Sequence, residues 1–200
     1  MTRKLSLAIA AGMLLLGSAA SAETLRIGLA DDPDVLDPHQ SRTFVGRIVY
    51  TALCDKLIDI DPELNFVPQL ATEWSWSEDG KALTMKLRQG VTFHDGEKFD
   101  AAAVKYNIER AKNLPESRRK SEVKSIQSVD VVDPMTVRLN LGAPDATLLA
   151  TLSDRAGMMV SPKAAEAAGA GLGAKLVCSG PYKFVERVQQ DRIVLERFKE

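Results

Sequence analysis

The sequence has little of what catalysis and metal binding draw on. Two cysteines and two histidines are spread over 200 residues, none at CxxC or HxxxH spacing, so the ligands of a structural zinc site are lacking. The GxxxxGK[ST], HExxH and EF-hand patterns are absent. Ser179 precedes a glycine in "LCSGPY" but lacks the strained G-x-S-x-G elbow of a hydrolase nucleophile. The formal net charge is −1 and the longest basic block is "SRRK" at Ser117 to Lys120, which leaves nucleic acid without its electrostatic footprint. No internal repeat, low-complexity tract or long linker interrupts the chain.

What is present begins with an export signature. Arg3 and Lys4 form a charged start, "LSLAIAAGMLLLG" supplies an apolar stretch, and "ASA" at Ala20 to Ala22 places small residues where signal peptidase cuts, so cleavage is expected before Glu23. The apolar stretch is shorter than the roughly 20 residues needed to span hydrocarbon. No cysteine follows it directly, since the first is Cys54, so a lipid-anchored form is not expected and the mature chain should be free in solution. Losing Arg3 and Lys4 shifts the net charge of −1 by two, to −3. An even cysteine count in an oxidising compartment favours a disulfide. Closing so long a loop is worth about 4 to 5 kcal/mol in the chain-entropy picture. Two buried, unpaired thiols are the competing reading.

The mature chain reads as a mixture of strands and helices with an ordinary soluble balance, 45% hydrophobic and 26% charged. "TLRIGLA" alternates Leu25, Ile27 and Leu29 against polar or small neighbours, predicting a strand with one buried face. "DDPDVLDPHQS" follows as an ordered loop. A helix is expected from Val45 to Leu53, then a strand at Leu57 to Ile60. Hairpins are expected at Glu73 to Leu87, around the turn at Asp133 and Pro134, and over "PYKFVERVQQDRIVLERF". Between them, Asp100 should cap a helix over "AAAVKYNIERAKN", with Phe99 stapled on Val104. Two shorter helices flank "GMMV". The first strand and the last hairpin read as members of one mixed sheet with further strands and covering helices not supplied, so the chain is expected to be the N-terminal portion of a longer protein.

His94 and Asp95, adjacent in "LRQGVTFHDG", suggest a catalytic or metal-binding pair only until the turn is considered. Neighbours in a turn splay apart, Asp95 suits an Asx turn, and Gly96 accepts positive φ. His39, in an exposed loop, reads as a surface or loop-packing residue. Trp74 and Trp76 face the same side of a strand, where core capping is favoured over a ligand platform.

Taken in order, "LDPH" at Leu36 to His39, "FVPQLATEWSWSEDGKALTMKLRQGVTFHDGEKFDAAAVKYNIERA" at Phe66 to Ala111, "VDPMTVRLNL" at Val132 to Leu141 and "SGPYKF" at Ser179 to Phe184 resemble one family. It is the extracytoplasmic solute-binding proteins of peptide and nickel type ABC importers, family 5. The resemblance implies an α/β, type II periplasmic-binding-protein fold: two lobes with mixed sheets that close over a solute, plus an accessory α+β subdomain. It implies a signal peptide (1–22), then a first lobe made of two separate segments (23–50 and 176–200), with the accessory subdomain (51–175) inserted between them and the second lobe missing. It also implies a binding protein rather than an enzyme, taking a small solute such as a peptide, working as a monomer with an inner-membrane ABC permease, and using no cofactor, metal or nucleic acid. An exported hydrolase, or a sensor or interaction module on the same fold, is the alternative.

Two departures from the family pattern each introduce a cysteine: "CSGPY" where "GTGPY" is common, and "LCDKL" where an aromatic and a glutamate are usual. These support pairing of Cys54 with Cys178 if the two segments abut. The loop after the first strand is shorter than in the nickel binders, which speaks against a metal chelate as solute. Within that loop the ligand-facing residues are expected to be Asp32, for an amino group, Arg42, for a carboxylate, Thr43, and Phe44, as a cavity wall.

Overall fold

The computed structural model describes Thr24–Lys199; the expected signal peptide lies outside the described residues. A four-stranded antiparallel sheet dominates, in the order β3-β4-β6-β5, built from β3 (Ala71–Trp76), β4 (Ala82–Leu87), β5 (Ile126–Asp133) and β6 (Thr136–Leu141). Alternation in β4 sets its face: Leu83, Met85 and Leu87 are buried while Lys86 and Arg88 are exposed. Met85 pairs with Val137 and Leu83 with Leu139 on β6, all four fully buried. Burial of each such side chain contributes about 1.5 to 3 kcal/mol.

Helix α2 (Ala101–Asn113) covers this sheet. The Asp100 side chain accepts from the Ala103 amide, and Phe99 and Val104 are both buried in the same cluster, as the capping pattern predicts. Leu114 ends the helix. Trp74 and Trp76 pack half-buried against the cluster, in the core-capping role.

A second, smaller cluster is built around α1 (Phe44–Leu53). It joins Leu36, Tyr50, Leu53 and Cys54 to Met158, Val160, Ala165, Leu172 and Cys178, with Phe184 and Leu195 against it. The last two come from the hairpin of β7 (Tyr182–Val188) and β8 (Arg192–Arg197). A short pair, β1 (Ile58–Ile60) and β2 (Phe66–Pro68), the helices α3 (Leu148–Leu152) and α4 (Pro162–Ala168), and 3-10 turns at Arg155–Gly157 and Gly169–Ala174 complete the described elements.

One expected element is not formed. Thr24–Leu29 pairs with no strand among the described residues, and Leu25 and Ile27 are 82% and 70% exposed. Alternation specifies which face a strand would bury. It does not supply a neighbour, and every pairing among the described residues is antiparallel and made elsewhere.

Candidate functional site

The segment from Asp31 to Thr43 has no ladder to hold it, so side-chain hydrogen bonds fix it instead. Asp34 is its organiser: Oδ1 accepts from Ser41 Oγ at 2.7 Å and Thr43 Oγ1 at 3.1 Å, and Oδ2 from the Arg42 amide at 2.8 Å. Burial would raise its carboxyl, but these bonds outweigh it and hold the group below the usual range. Thr43 in turn caps α1, its Oγ1 accepting from the Gly46 amide at 3.2 Å. Gly46 fits because a side chain there would meet Ser41 Oγ at 2.7 Å. The Tyr50 hydroxyl donates to the Val35 carbonyl, which pins the loop to the same helix.

Deeper in the loop, Asp37 accepts two bonds from Arg110 of α2, Nη2 to Oδ2 at 2.6 Å and Nη1 to Oδ1 at 3.2 Å. Burial alone would raise the Asp37 carboxyl, but the guanidinium keeps it below the usual range. Arg110 Nη1 also lies 2.9 Å from His39 Nδ1, which as the acceptor leaves the ring proton on Nε2. His39 is fully buried, so of the two readings the loop-packing one holds and the surface one does not. Aspartate and proline signal irregular backbone, and here that backbone packs inward around a cation supplied from far along the chain. Burial first, then the neighbouring Arg110 and Arg119, lowers the His39 pKa to about 4 despite the opposing pull of Asp37.

The sequence nominates four residues as ligand-facing. Asp32 Oδ2 accepts from Arg187 at 2.9 Å and from the Gln190 amide at 3.1 Å, which ties the loop to β7; the arginine bond lowers its carboxyl. Arg42 and Phe44 are exposed, Phe44 by 69% at the first position of α1, and Thr43 between them is half-buried. Arg42, Thr43 and Phe44 therefore share one short stretch at the helix start, while Asp32 is drawn toward the hairpin. None of the four lines either of two surface depressions. The larger, about 770 Å³, lies between Ser121 and Thr151; the smaller, about 490 Å³, lies beside Asp55, Thr92 and Ser179. No cluster that could hold a metal ion occurs among the described residues.

The second histidine is architectural, as the turn reading holds. Asp95 Oδ1 accepts from the Glu97 amide at 3.1 Å and Gly96 has φ +81°. His94 faces away, into the segment around Cys178: its Nε2 lies 3.0 Å from the Gly180 carbonyl and its Nδ1 accepts from the Cys178 amide at 3.3 Å. Cys54 and Cys178 are joined in a disulfide. Both are buried, and Gly180 packs so close that a Cβ would lie 2.6 Å from the Leu53 carbonyl carbon.

Sequence reasoning passes over Asp34, Asp37, Arg110, Arg119 and Arg155. Asp37 lies inside the quoted "LDPH" motif, which is the available signal. Arg110 lies inside the quoted block that ends at Ala111, but Arg119 and Arg155 offer no such signal, because their partners are remote in sequence.

Comparison with known proteins bears on what this arrangement serves. The family model described as bacterial extracellular solute-binding proteins, family 5 Middle, matches residues 65–200. A glutathione-binding protein GsiB of Pectobacterium atrosepticum is 36% identical over 82% of this chain and 32% of its own length. One from Salmonella paratyphi A is 34% identical over 90% of this chain and 35% of its own. The chain thus spans about a third of the length of the curated relatives it matches. Among solved structures, a dipeptide-binding protein from Pseudoalteromonas sp. SM9913 in complex with Met-Leu superposes with a TM-score of 0.76 at 25% identity, covering 84% of this chain and 38% of that one. NikA from Brucella suis in complex with Fe(III)-EDTA gives 0.73 at 30% identity, covering 84% and 34%.

Proposed function

The chain belongs to the bacterial extracellular solute-binding proteins of family 5, and from that premise we propose that it is the N-terminal portion of a periplasmic solute-binding component of an ABC importer. It captures a peptide or related small solute and delivers it to an inner-membrane permease. The observation that carries this reading is the similarity to glutathione-binding relatives at 36% and 34% identity across most of the chain. Glutathione is itself a small peptide with two carboxylates and an amine, and the Met-Leu complex adds a second peptide binder of the same fold. The family is one of binding proteins, so the hydrolase alternative has no observation in its favour.

In this proposal the protein is exported by the signal peptide at 1–22, which is cleaved, and acts as a monomer. The chain divides into first lobe (23–50 and 176–200) and accessory subdomain (51–175). The cluster around α1 supports a lobe that brings the two flanking segments together through Leu36, Val49, Tyr50, Leu176 and Cys178. Met158, Val160 and Leu172 pack into the same cluster, which makes it a seam between lobe and subdomain.

Solute capture works by closure. A ligand that bridges two lobes stabilises the closed form in proportion to its differential affinity for closed over open, and the membrane partner reads that form. We assign Arg42 to a solute carboxylate, Thr43 to a polar contact and Phe44 to an apolar wall. Asp32 keeps Oδ2 on Arg187 and offers Oδ1 to an amino group. The reading is tested by purifying the protein natively, releasing bound solute by mild denaturation and identifying it by mass spectrometry. A peptide-like solute that then raises the melting temperature supports it; an empty protein unmoved by a broad panel of peptides overturns it.

A further inference from the structure

Three arginines from the stretch between Ala101 and Gly157 converge on seven residues of the loop. Arg110 holds the Asp37 carboxylate. Arg119 Nη2 donates to the Ser41 carbonyl at 3.1 Å, and Arg155 Nη1 donates to the same carbonyl at 3.2 Å and to that of Thr43 at 3.4 Å. The Arg118 amide adds a bond to the His39 carbonyl at 2.8 Å. These partners lie 73 to 114 residues apart in sequence. Arg110 and Arg119 are nearly buried, at 8% and 5% exposure. Burying a guanidinium is costly unless its donors are used; Arg110 spends both terminal nitrogens on side chains of the loop, and Arg119 divides its own between Glu122 and the Ser41 carbonyl.

The Ser41 carbonyl belongs to the peptide group that precedes Arg42, whose amide Asp34 also holds, and the Thr43 carbonyl to the one that precedes Phe44. Fixing the peptide groups at both ends of the Arg42–Thr43 pair restricts the torsions between them, and so the directions in which the Arg42 side chain can leave the backbone. The Thr43 carbonyl also begins α1, so the same contact sets the orientation of Phe44 at the helix start. Glu122 and Asp154 steady the arginines from behind: Arg119 Nη1 pairs with Glu122, and Asp154 lies 4.0 Å from Arg155 Nε while also pairing with Arg47 at 2.7 Å.

We propose that Arg119 and Arg155 are positioning residues for solute binding: through the carbonyls of Ser41 and Thr43 they aim Arg42 and Phe44, so the accessory subdomain sets the geometry of a loop it does not contain. The proposal rests on the reading of Arg42 and Phe44 as solute-facing. Its consequence is that affinity depends on side chains that never touch the solute.

Hydrogen–deuterium exchange of the chain and its Arg155→Gln, Arg155→Lys and Arg119→Gln variants tests it. The amides of Ser41, Arg42 and Gly46, bonded to the Asp37 carbonyl, Asp34 and Thr43, are the reporters. Loss of a charge-assisted bond should speed their exchange about tenfold in Arg155→Gln and Arg119→Gln, with partial rescue by Arg155→Lys and no change in β4 and β6. Unchanged reporters, or equal acceleration in β4 and β6, would overturn the positioning role. Titration with glutathione is run alongside: a tenfold weaker affinity in Arg155→Gln supports the link to binding, and an unaltered affinity breaks it. If the unsubstituted protein takes up no glutathione, the glutathione reading fails, and the exchange pattern still decides whether the arginines hold the loop.

Discussion

Arg110 grips Asp37 with both of its terminal nitrogens across 73 residues of sequence, and both side chains are removed from water. The pair fastens the irregular segment from Asp31 to Thr43 to the helix that covers the main sheet. Breaking one side of a buried pair leaves the other charge without compensation, at a cost of about 3 to 5 kcal/mol.

Arg110→Gln should therefore lower unfolding stability in urea by about 3 to 5 kcal/mol, because the Asp37 carboxylate is stranded. The double variant with Asp37→Asn should recover some of that loss, since neither partner then carries a charge. A double variant less stable than Arg110→Gln alone would refute the pairing as the source of the cost.

His39 gives a pH dependence with a definite sign. Its folded pKa is about 4 against an ordinary value of 6.5, so the unfolded chain binds the proton more readily. Stability is unaffected by this group above pH 6.5 and declines as pH falls from 6.5 to 4, by about 3 kcal/mol in all. Urea titrations of the protein and of His39→Gln across this window should diverge in slope, with the variant flatter. Nitrogen NMR should find the neutral ring protonated on Nε2 down to about pH 5, as the Arg110 contact requires.

Asp55 acts in the opposite sense. Burial raises its carboxyl from 3.8 to about 6 despite Arg88 and Lys56 nearby. A raised carboxylate contributes stability that is fully present below 3.8 and lost as pH rises through 6. Asp55→Asn should thus be more stable than the parent at pH 7.5, by about 1 to 2 kcal/mol once solvent screening is allowed for, and the difference should vanish below pH 4.

The Cys54–Cys178 bond closes 124 residues of chain. The chain-entropy picture puts this at about 5 kcal/mol. Reduction, or the double alanine variant, should lower the melting temperature accordingly. The Gly180 amide should keep the two segments in register in the native state, because its bond to the Leu53 carbonyl at 2.8 Å does not involve sulfur.

Local patterns are legible where the physics is local. The alternation of Leu83, Met85 and Leu87 gives β4 its face, Asp100 marks the start of α2, and Asp95 with Gly96 makes the turn that disarms His94. Leu25, Ile27 and Leu29 mislead because a period of two describes a strand's faces and says nothing of its neighbours. His39 stays open between surface and loop packing because its burial depends on Arg110, 71 residues away. The disulfide can be weighed from compartment and cysteine count, whereas the abutting of its two segments is a tertiary fact. At the loop, the exposed Arg42 and Phe44 can be named from composition and place. The arginines that fix them cannot, since their contacts are to main-chain carbonyls, which leave no trace in the sequence.

Isothermal titration of glutathione into the purified protein and its Arg42→Ala variant decides whether the loop takes a peptide solute. Saturable binding to a single site is expected, about tenfold weaker in the variant through loss of a charge-assisted contact to a carboxylate. Saturable binding that is indifferent to Arg42 would contradict the assigned site. No binding of glutathione, Met-Leu or any other small peptide would contradict the assigned function.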